Sequence, residues 1–145
     1  MDGKYHLLMQ ALLERLRERD WRLTAQRRVV AEVLAGDHIH MTAEEIHATA
    51  AERLPEISRA TVYNVLGELV TLGEIREVVL DGRARLYDPN PDTTHHHLAC
   101  DECGAVVDVY LGEAPRLAPD QLHQYDVDRV DVVYHGRCPR CRAQA

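Results

Sequence analysis

The sequence predicts an α+β chain in two parts, and three observations carry that expectation. Apolar residues recur at helical spacing from near the start of the chain to Gly73. The period then changes to alternation on either side of Asp81-Gly82, a dipeptide that favours a tight hairpin turn. Beyond Pro89 the composition shifts again. All four cysteines of the 145-residue chain fall there, as Cys100-x-x-Cys103 and Cys138-x-x-Cys141.

Each element follows from local signals. Leu7, Leu8, Ala11, Leu12 and Leu16 predict an amphipathic helix over residues 4–19. Thr24 is placed to cap a second helix carrying Val29, Val30, Val33 and Leu34, ending near Gly36. Thr42-Ala-Glu-Glu45 reads as a capping box, in which hydroxyl and carboxylate each satisfy an orphan amide of the other. That third helix runs to about Leu54, before Pro55. Ser58 caps a fourth helix with Val62, Val65, Leu66, Leu69 and Val70 on one side, and Gly73 stops it.

Two short strands, Glu74 to Leu80 and Arg83 to Tyr87, complete the first half. Short helices followed by an arginine-bearing hairpin describe a winged helix-turn-helix; a generic small helical domain with a hairpin would share the pattern. Pro89-Asn-Pro-Asp92 reads as a linker. It divides the chain into a winged-helix part (1–88), a hinge (89–92) and a cysteine-bearing part (93–145). In the last part a strand is expected at Ala105 to Leu111, a short helical stretch at Pro119 to Gln124, and a strand at Arg129 to Tyr134.

Charge constrains which half could meet a polyanion. The net charge is −7, but residues 1–85 carry 12 Lys+Arg against 14 Asp+Glu, whereas residues 86–145 carry 5 against 10. Sixteen of the 17 cations are Arg, whose planar fork suits phosphate and guanine edges. The acidic half is excluded as a nucleic-acid face, and the first half could present a local basic surface. The N-terminus has no signal-peptide core, and no run approaches the roughly 20 apolar residues of a membrane span, so a cytoplasmic chain is expected.

A reducing cytosol favours metal over disulfide for the cysteines. With 34 residues between the pairs, four thiolates can enclose one tetrahedral zinc and close a long loop. Thioredoxin-like redox chemistry is the competing reading. A second constellation, His95-His96-His97 with Asp88 before and Asp108 after, offers imidazole and carboxylate, donors for a harder, exchangeable ion. On an extended segment His95 and His97 point to one face and His96 to the other. Asp108 returns at the interval of a neighbouring strand, Asp88 ends the wing, and His40 precedes the third helix. A solvated histidine run and a turn-initiating Asp-Pro are the bland alternatives. A further site from His96, Glu113 and His123 is poorly supported.

Taken together, these features resemble the ferric uptake regulator family of metal-dependent repressors. The resemblance covers nearly the whole chain. It rests on Arg22-Leu-Thr-Ala-Gln-Arg27, Ser58-Arg-Ala-Thr-Val-Tyr-Asn64, His95-His-His-Leu-Ala-Cys-Asp-Glu-Cys-Gly104 and Cys138-x-x-Cys141. It implies an N-terminal winged helix, a C-terminal α/β dimerisation domain, and a homodimer bound to palindromic double-stranded DNA. Asp108 and Asn64 resemble the peroxide-sensing branch more than the iron sensors.

Residue by residue, the resemblance implies a regulatory Fe²⁺ or Mn²⁺ site of His40, Asp88, His95, His97 and Asp108. Beside it stands structural zinc on Cys100, Cys103, Cys138 and Cys141. His40 and His95 would be the oxidation-sensitive ligands. Tyr63 would touch base edges, with Asn64 and Arg59 nearby, while Arg27, Arg83 and Arg85 would contact phosphate. A sensor of iron or another divalent metal without histidine oxidation is the alternative within the family. A metallohydrolase or a zinc-ribbon interaction module are alternatives outside it. No nucleophile or phosphate-cradling motif supports an enzyme.

Overall fold

A computed structural model describes residues 12–35, 39–90, 92, 94–113 and 115–144. The expected helix positions Leu7, Leu8 and Ala11, the stop at Gly36, and His38 lie outside the described residues. The chain divides into two compact units, Met1–Pro91 and Asp92–Ala145.

The first unit is built on four helices. Residues 12–18 are the described part of the first (α1), followed by α2 (Ala25–Val33), α3 (Ala43–Arg53) and α4 (Arg59–Thr71). The caps are those the sequence indicates. Thr24 Oγ1 accepts from the Arg27 amide, Ser58 Oγ accepts from the Thr61 amide, and Thr42 and Glu45 form a complete capping box. Gly73, at φ +75°, turns the chain out of α4 in the left-handed conformation that glycine adopts without penalty.

Leu12, Leu16, Val30, Leu34, Ile46, Ala50, Val62, Leu66 and Leu69 bury their side chains in one core between the helices. The fourth helix is also held by charge. Glu74, just past its end, is buried and accepts from Arg15 Nε at 2.6 Å and Arg19 Nε at 2.7 Å.

The hairpin is shorter than the alternation suggests. Its strands are β2 (Arg76–Val78) and β3 (Leu86–Asp88), paired antiparallel with Arg76 opposite Asp88. Arg83 and Arg85 therefore lie in the exposed connection rather than in a strand. A two-residue strand, β1 (Met41–Thr42), adds to the other edge of β3, giving the order β1-β3-β2. Nothing in two residues announces a strand; the pairing comes from β3 having a free edge beside the start of α3.

The second unit is a three-stranded sheet of order β5-β4-β6, with β4 (His95–Cys100), β5 (Val106–Tyr110) and β6 (Val133–Gly136). Strands β4 and β5 are antiparallel, and β6 runs parallel to β4. A parallel neighbour needs a long crossover; it holds one 3₁₀ turn at Pro119–Gln121. The strand expected at Arg129 to Tyr134 starts later, at Val133, and a short helix α5 (Pro139–Ala143) follows it. Leu98, Val107 and Tyr134 are register neighbours across the three strands and all are exposed, forming an apolar row on one sheet face. Among the described residues, no helix is long and apolar enough to cross a membrane.

Candidate metal centres and nucleic-acid face

The cysteine pairs sit on two tight turns of similar local design. Cys100 ends β4, and its Sγ accepts from the Cys103 amide; Cys138 caps α5, and its Sγ accepts from the Cys141 amide, both at 3.5 Å. Gly104, at φ +81°, lets the chain double back so that Ala105 O accepts from the Cys100 amide. All four Sγ atoms lie within 4.8 Å of one another. Cys100 and Cys141 are 3.8 Å apart, Cys103 and Cys138 3.7 Å. A tetrahedron with metal–sulfur bonds of about 2.3 Å has edges of about 3.8 Å, so the donor set fits zinc. The thiols are free, far beyond the roughly 2.0 Å of a disulfide.

Local amides prepare the sulfurs for the anionic state. The Cys103 and Cys138 N–H groups lower the Cys100 thiol to about 6 against the opposing effect of burial. The Cys141 amide lowers Cys138. Cys141 itself is pushed up to about 12, chiefly by its contact with Cys138 and then by burial. A divalent cation among the sulfurs would favour the thiolate form at all four.

The histidine run is in the central strand of the second unit. His95, His96 and His97 are all buried, so they are not a solvated loop. Cross-strand register sets His97 opposite Asp108, and the Asp108 Oδ1 atom lies 3.5 Å from His97 Nε2 and 3.9 Å from His95 Nε2. The two rings meet edge to face at 5.0 Å. His95 Nδ1 donates to the carbonyl of Asp92, which leaves the Nε2 lone pair for a ligand. His96 points elsewhere: its Nδ1 accepts from the Val132 amide at 3.1 Å, a contact that helps hold β6 beside β4.

The first unit carries a matching pair. His40 Nε2 lies 3.3 Å from Asp88 Oδ2, with both side chains almost fully buried. The other carboxylate oxygen of Asp88 accepts from the Asn90 amide at 2.9 Å, fixing its orientation. These are nitrogen and oxygen donors only, suited to Fe²⁺ or Mn²⁺ more than to the soft ions a thiolate cage selects.

On α4 the exposed residues Arg59, Tyr63 and Asn64 stand opposite the buried Val62, Val65, Leu66 and Leu69. Tyr63 is 49% exposed, which argues against a packing role. Arg59 Nε meets Glu44 Oε2 at 2.9 Å, and Arg85 meets Glu77 at 3.4 Å, both at the surface. Arg27 differs: it is largely covered and bound to Glu68 at 2.9 Å.

Residues 18–135 match the ferric uptake regulator family. The chain belongs to that family. It is 35% identical to "Transcriptional regulator FurA" of Mycobacterium tuberculosis over 130 residues, covering 88% of each chain. It is 32% identical to "Peroxide-responsive repressor PerR" of Staphylococcus aureus over 130 residues, 88% of this chain and 86% of that one. The fold matches the ferric uptake regulator Fur of Helicobacter pylori with a TM-score of 0.69 at 20% identity, over 92% of this chain and 93% of the other. As a member of this family, the chain is a metal-dependent transcriptional regulator and not an enzyme.

Sequence reasoning missed several groups of this regulator's surroundings. Asp92 orients His95 through its main chain, which no side-chain pattern reveals. Glu44, Glu68 and Glu77 are the partners of the arginines, at separations of 8 to 41 residues that carry no periodic signal.

Proposed function

We propose that this chain is a homodimeric, peroxide-responsive repressor that binds a palindromic operator when a regulatory metal is present. Two sets of buried donors support the reading: His40 with Asp88 in the first unit, and His95 and His97 with Asp108 in the second. The proposal joins them into one regulatory site. An ion bound by both sets restricts the units to one relative arrangement, and only a fixed arrangement in each protomer suits two recognition helices to two major grooves. Domain assignment follows the same logic, with residues 1–88 binding DNA, 89–92 as hinge and 93–145 dimerising. The exposed row of Leu98, Val107 and Tyr134 is the kind of surface a second copy would cover.

Cys100, Cys103, Cys138 and Cys141 hold structural zinc in this reading, and the His/Asp site takes Fe²⁺ or Mn²⁺ reversibly. When bound, ferrous iron would supply the redox chemistry that activates peroxide, whereas manganous ion would supply only charge and geometry. Peroxide would give one oxygen to the imidazole of His40 or His95 and leave the other as water; the oxidised ring would lack a ligand lone pair, so the ion would no longer hold the two units to the DNA-binding arrangement. Arg59, Tyr63 and Asn64 face the bases, and Arg83 and Arg85 on the wing face phosphates. A cytoplasmic location accords with reduced thiols.

The experiment is a DNA-binding titration on an operator selected from random duplexes by the manganese-loaded protein. Retention with Mn²⁺ and Fe²⁺, lost only when peroxide is added to the iron sample, is expected. It should be accompanied by a gain of about 16 Da on a peptide containing His40 or His95. The name of the mycobacterial relative specifies no signal, which keeps a second reading: a sensor of metal availability. It predicts equal retention with and without peroxide.

A further inference from the structure

We infer that Arg27 and Glu68 are positioning residues, clamped with Trp21 to set the pose of the recognition helix, and that Arg27 does not contact DNA phosphate. The inference rests on the DNA-binding reading of α4. Its basis is a closed set of four contacts within the first unit. Arg27 Nη2 lies 2.9 Å from Glu68 Oε2. Arg27 Nη1 donates to the Arg22 carbonyl at 2.9 Å. The guanidinium carbon sits 4.5 Å above the centre of the Trp21 ring. The Trp21 Nε1–H donates to the same Glu68 Oε2 at 3.2 Å.

Trp21 and Arg22 precede α2, Arg27 is in its first turn, and Glu68 is on α4. The clamp therefore fastens the start of α2 to the recognition helix.

Position along the helix separates this cluster from the reading residues. At about 100° per residue, Glu68 lies about 180° around α4 from Arg59 and about 140° from Tyr63, and it follows Asn64 by one turn on the same side. The Arg27 side chain is only 26% exposed, and each of its terminal nitrogens has a partner, Nη2 in the Glu68 carboxylate and Nη1 in the Arg22 carbonyl. A phosphate approaching it would meet the Glu68 carboxylate at the same time, and like charges repel. Glu74, held by Arg15 and Arg19, anchors the same end of the helix a turn and a half further on. The C-terminal end of α4 is thus tied down by two carboxylates, while Arg59, Tyr63 and Asn64 project from its other half.

A phosphate contact and a positioning contact give opposite salt signatures. Losing a phosphate-binding Arg lowers the salt slope of binding by about 1 and weakens binding to all sequences alike. A displaced helix loses base contacts instead, so affinity for the operator falls while affinity for unrelated duplex holds.

The test uses full-length, metal-loaded protein, with binding to operator and to unrelated DNA measured over a salt series. Glu68→Gln and Arg27→Gln should each lower operator affinity about tenfold, with the salt slope and unrelated-DNA affinity unchanged. The double variant should lose little more than either single one. Trp21 is the only tryptophan, so its emission should move in both variants as the indole loses its cover. Arg83→Gln serves as the phosphate control and should reduce the slope. If Glu68→Gln does not fold, Trp21→Phe keeps a ring under the guanidinium, removes the N–H donor, and should lower operator affinity about threefold.

A slope reduced by about 1 in Arg27→Gln, or operator affinity unchanged or raised in Glu68→Gln, overturns the positioning role. An unchanged operator-to-unrelated ratio with a lowered melting temperature reduces the clamp to a stabilising contact and overturns it too. Absence of metal-dependent DNA retention by the wild-type protein overturns the DNA-binding reading itself, and the clamp's role with it.

Discussion

Removing the metal from the cysteine site should unfold the second unit and leave the first intact. Among the described residues beyond Pro91, the buried apolar set comprises only Ala99, Cys100 and Cys141, whereas the first unit buries a continuous core from Leu12 to Tyr87. Tying Cys100 to Cys141 closes a loop of about 42 residues, worth about 4 kcal/mol in chain entropy. Structural zinc can contribute about 10–16 kcal/mol in small domains. A unit of about 54 residues has a total stability of about 3–8 kcal/mol, so the metal exceeds the margin.

Hydrogen exchange before and after chelation is the direct assay, read together with the number of thiols that react. Protection should vanish across β4, β5 and β6 and persist in α2, α3 and α4, with four thiols becoming reactive. Retained protection in β4 and β6 of the zinc-free protein would refute the reasoning, because it would mean that the sheet stands without the cross-link.

Three further outcomes are expected. Asp108→Ala should remove the reversible metal while keeping zinc, so native mass spectrometry in excess Mn²⁺ should show one metal per chain instead of two, with metal-dependent DNA binding abolished. Thr42→Ala breaks the capping box at α3 and should cost the first unit about 1 kcal/mol, measured by denaturant unfolding. Tyr87 is buried, and desolvation, followed by the nearby Glu77 carboxylate, raises its pKa above the usual 10. The unfolded chain then releases this proton at lower pH than the folded one, so stability is complete below about pH 10 and falls as pH rises past it. The denaturant midpoint should hold up to about pH 10 and drop above it, and Tyr87→Phe should reduce that drop.

What could be read in advance was local. Thr24, Thr42 and Ser58 cap their helices because a side-chain oxygen reaches an amide three residues on, a relation written into adjacent sequence. The cysteine spacing was equally legible, since each pair makes its own turn and a parity of four thiols admits few arrangements. The alternation of His95 and His97 against His96 also follows from strand geometry, and the structure orients them accordingly. The hairpin strands were overextended because alternation continues past the point where hydrogen bonding stops at Val78.

By itself, then, the sequence determined α2, α3 and α4 with their N-caps, the stop at Gly73, the turn at Gly82, the two cysteine turns and the chemical types of the donors. Tertiary structure alone decided which distant groups meet. His40 reaches Asp88 across 48 residues and Arg27 reaches Glu68 across 41, and β6 lies parallel to β4 after a crossover with little regular structure. Such pairings depend on how the helices and strands pack, and packing is selected by the burial of whole faces, not by any short run of residues. The same arginine reads as a phosphate ligand in sequence, and only the packing of α2 against α4 brings it to the Glu68 carboxylate.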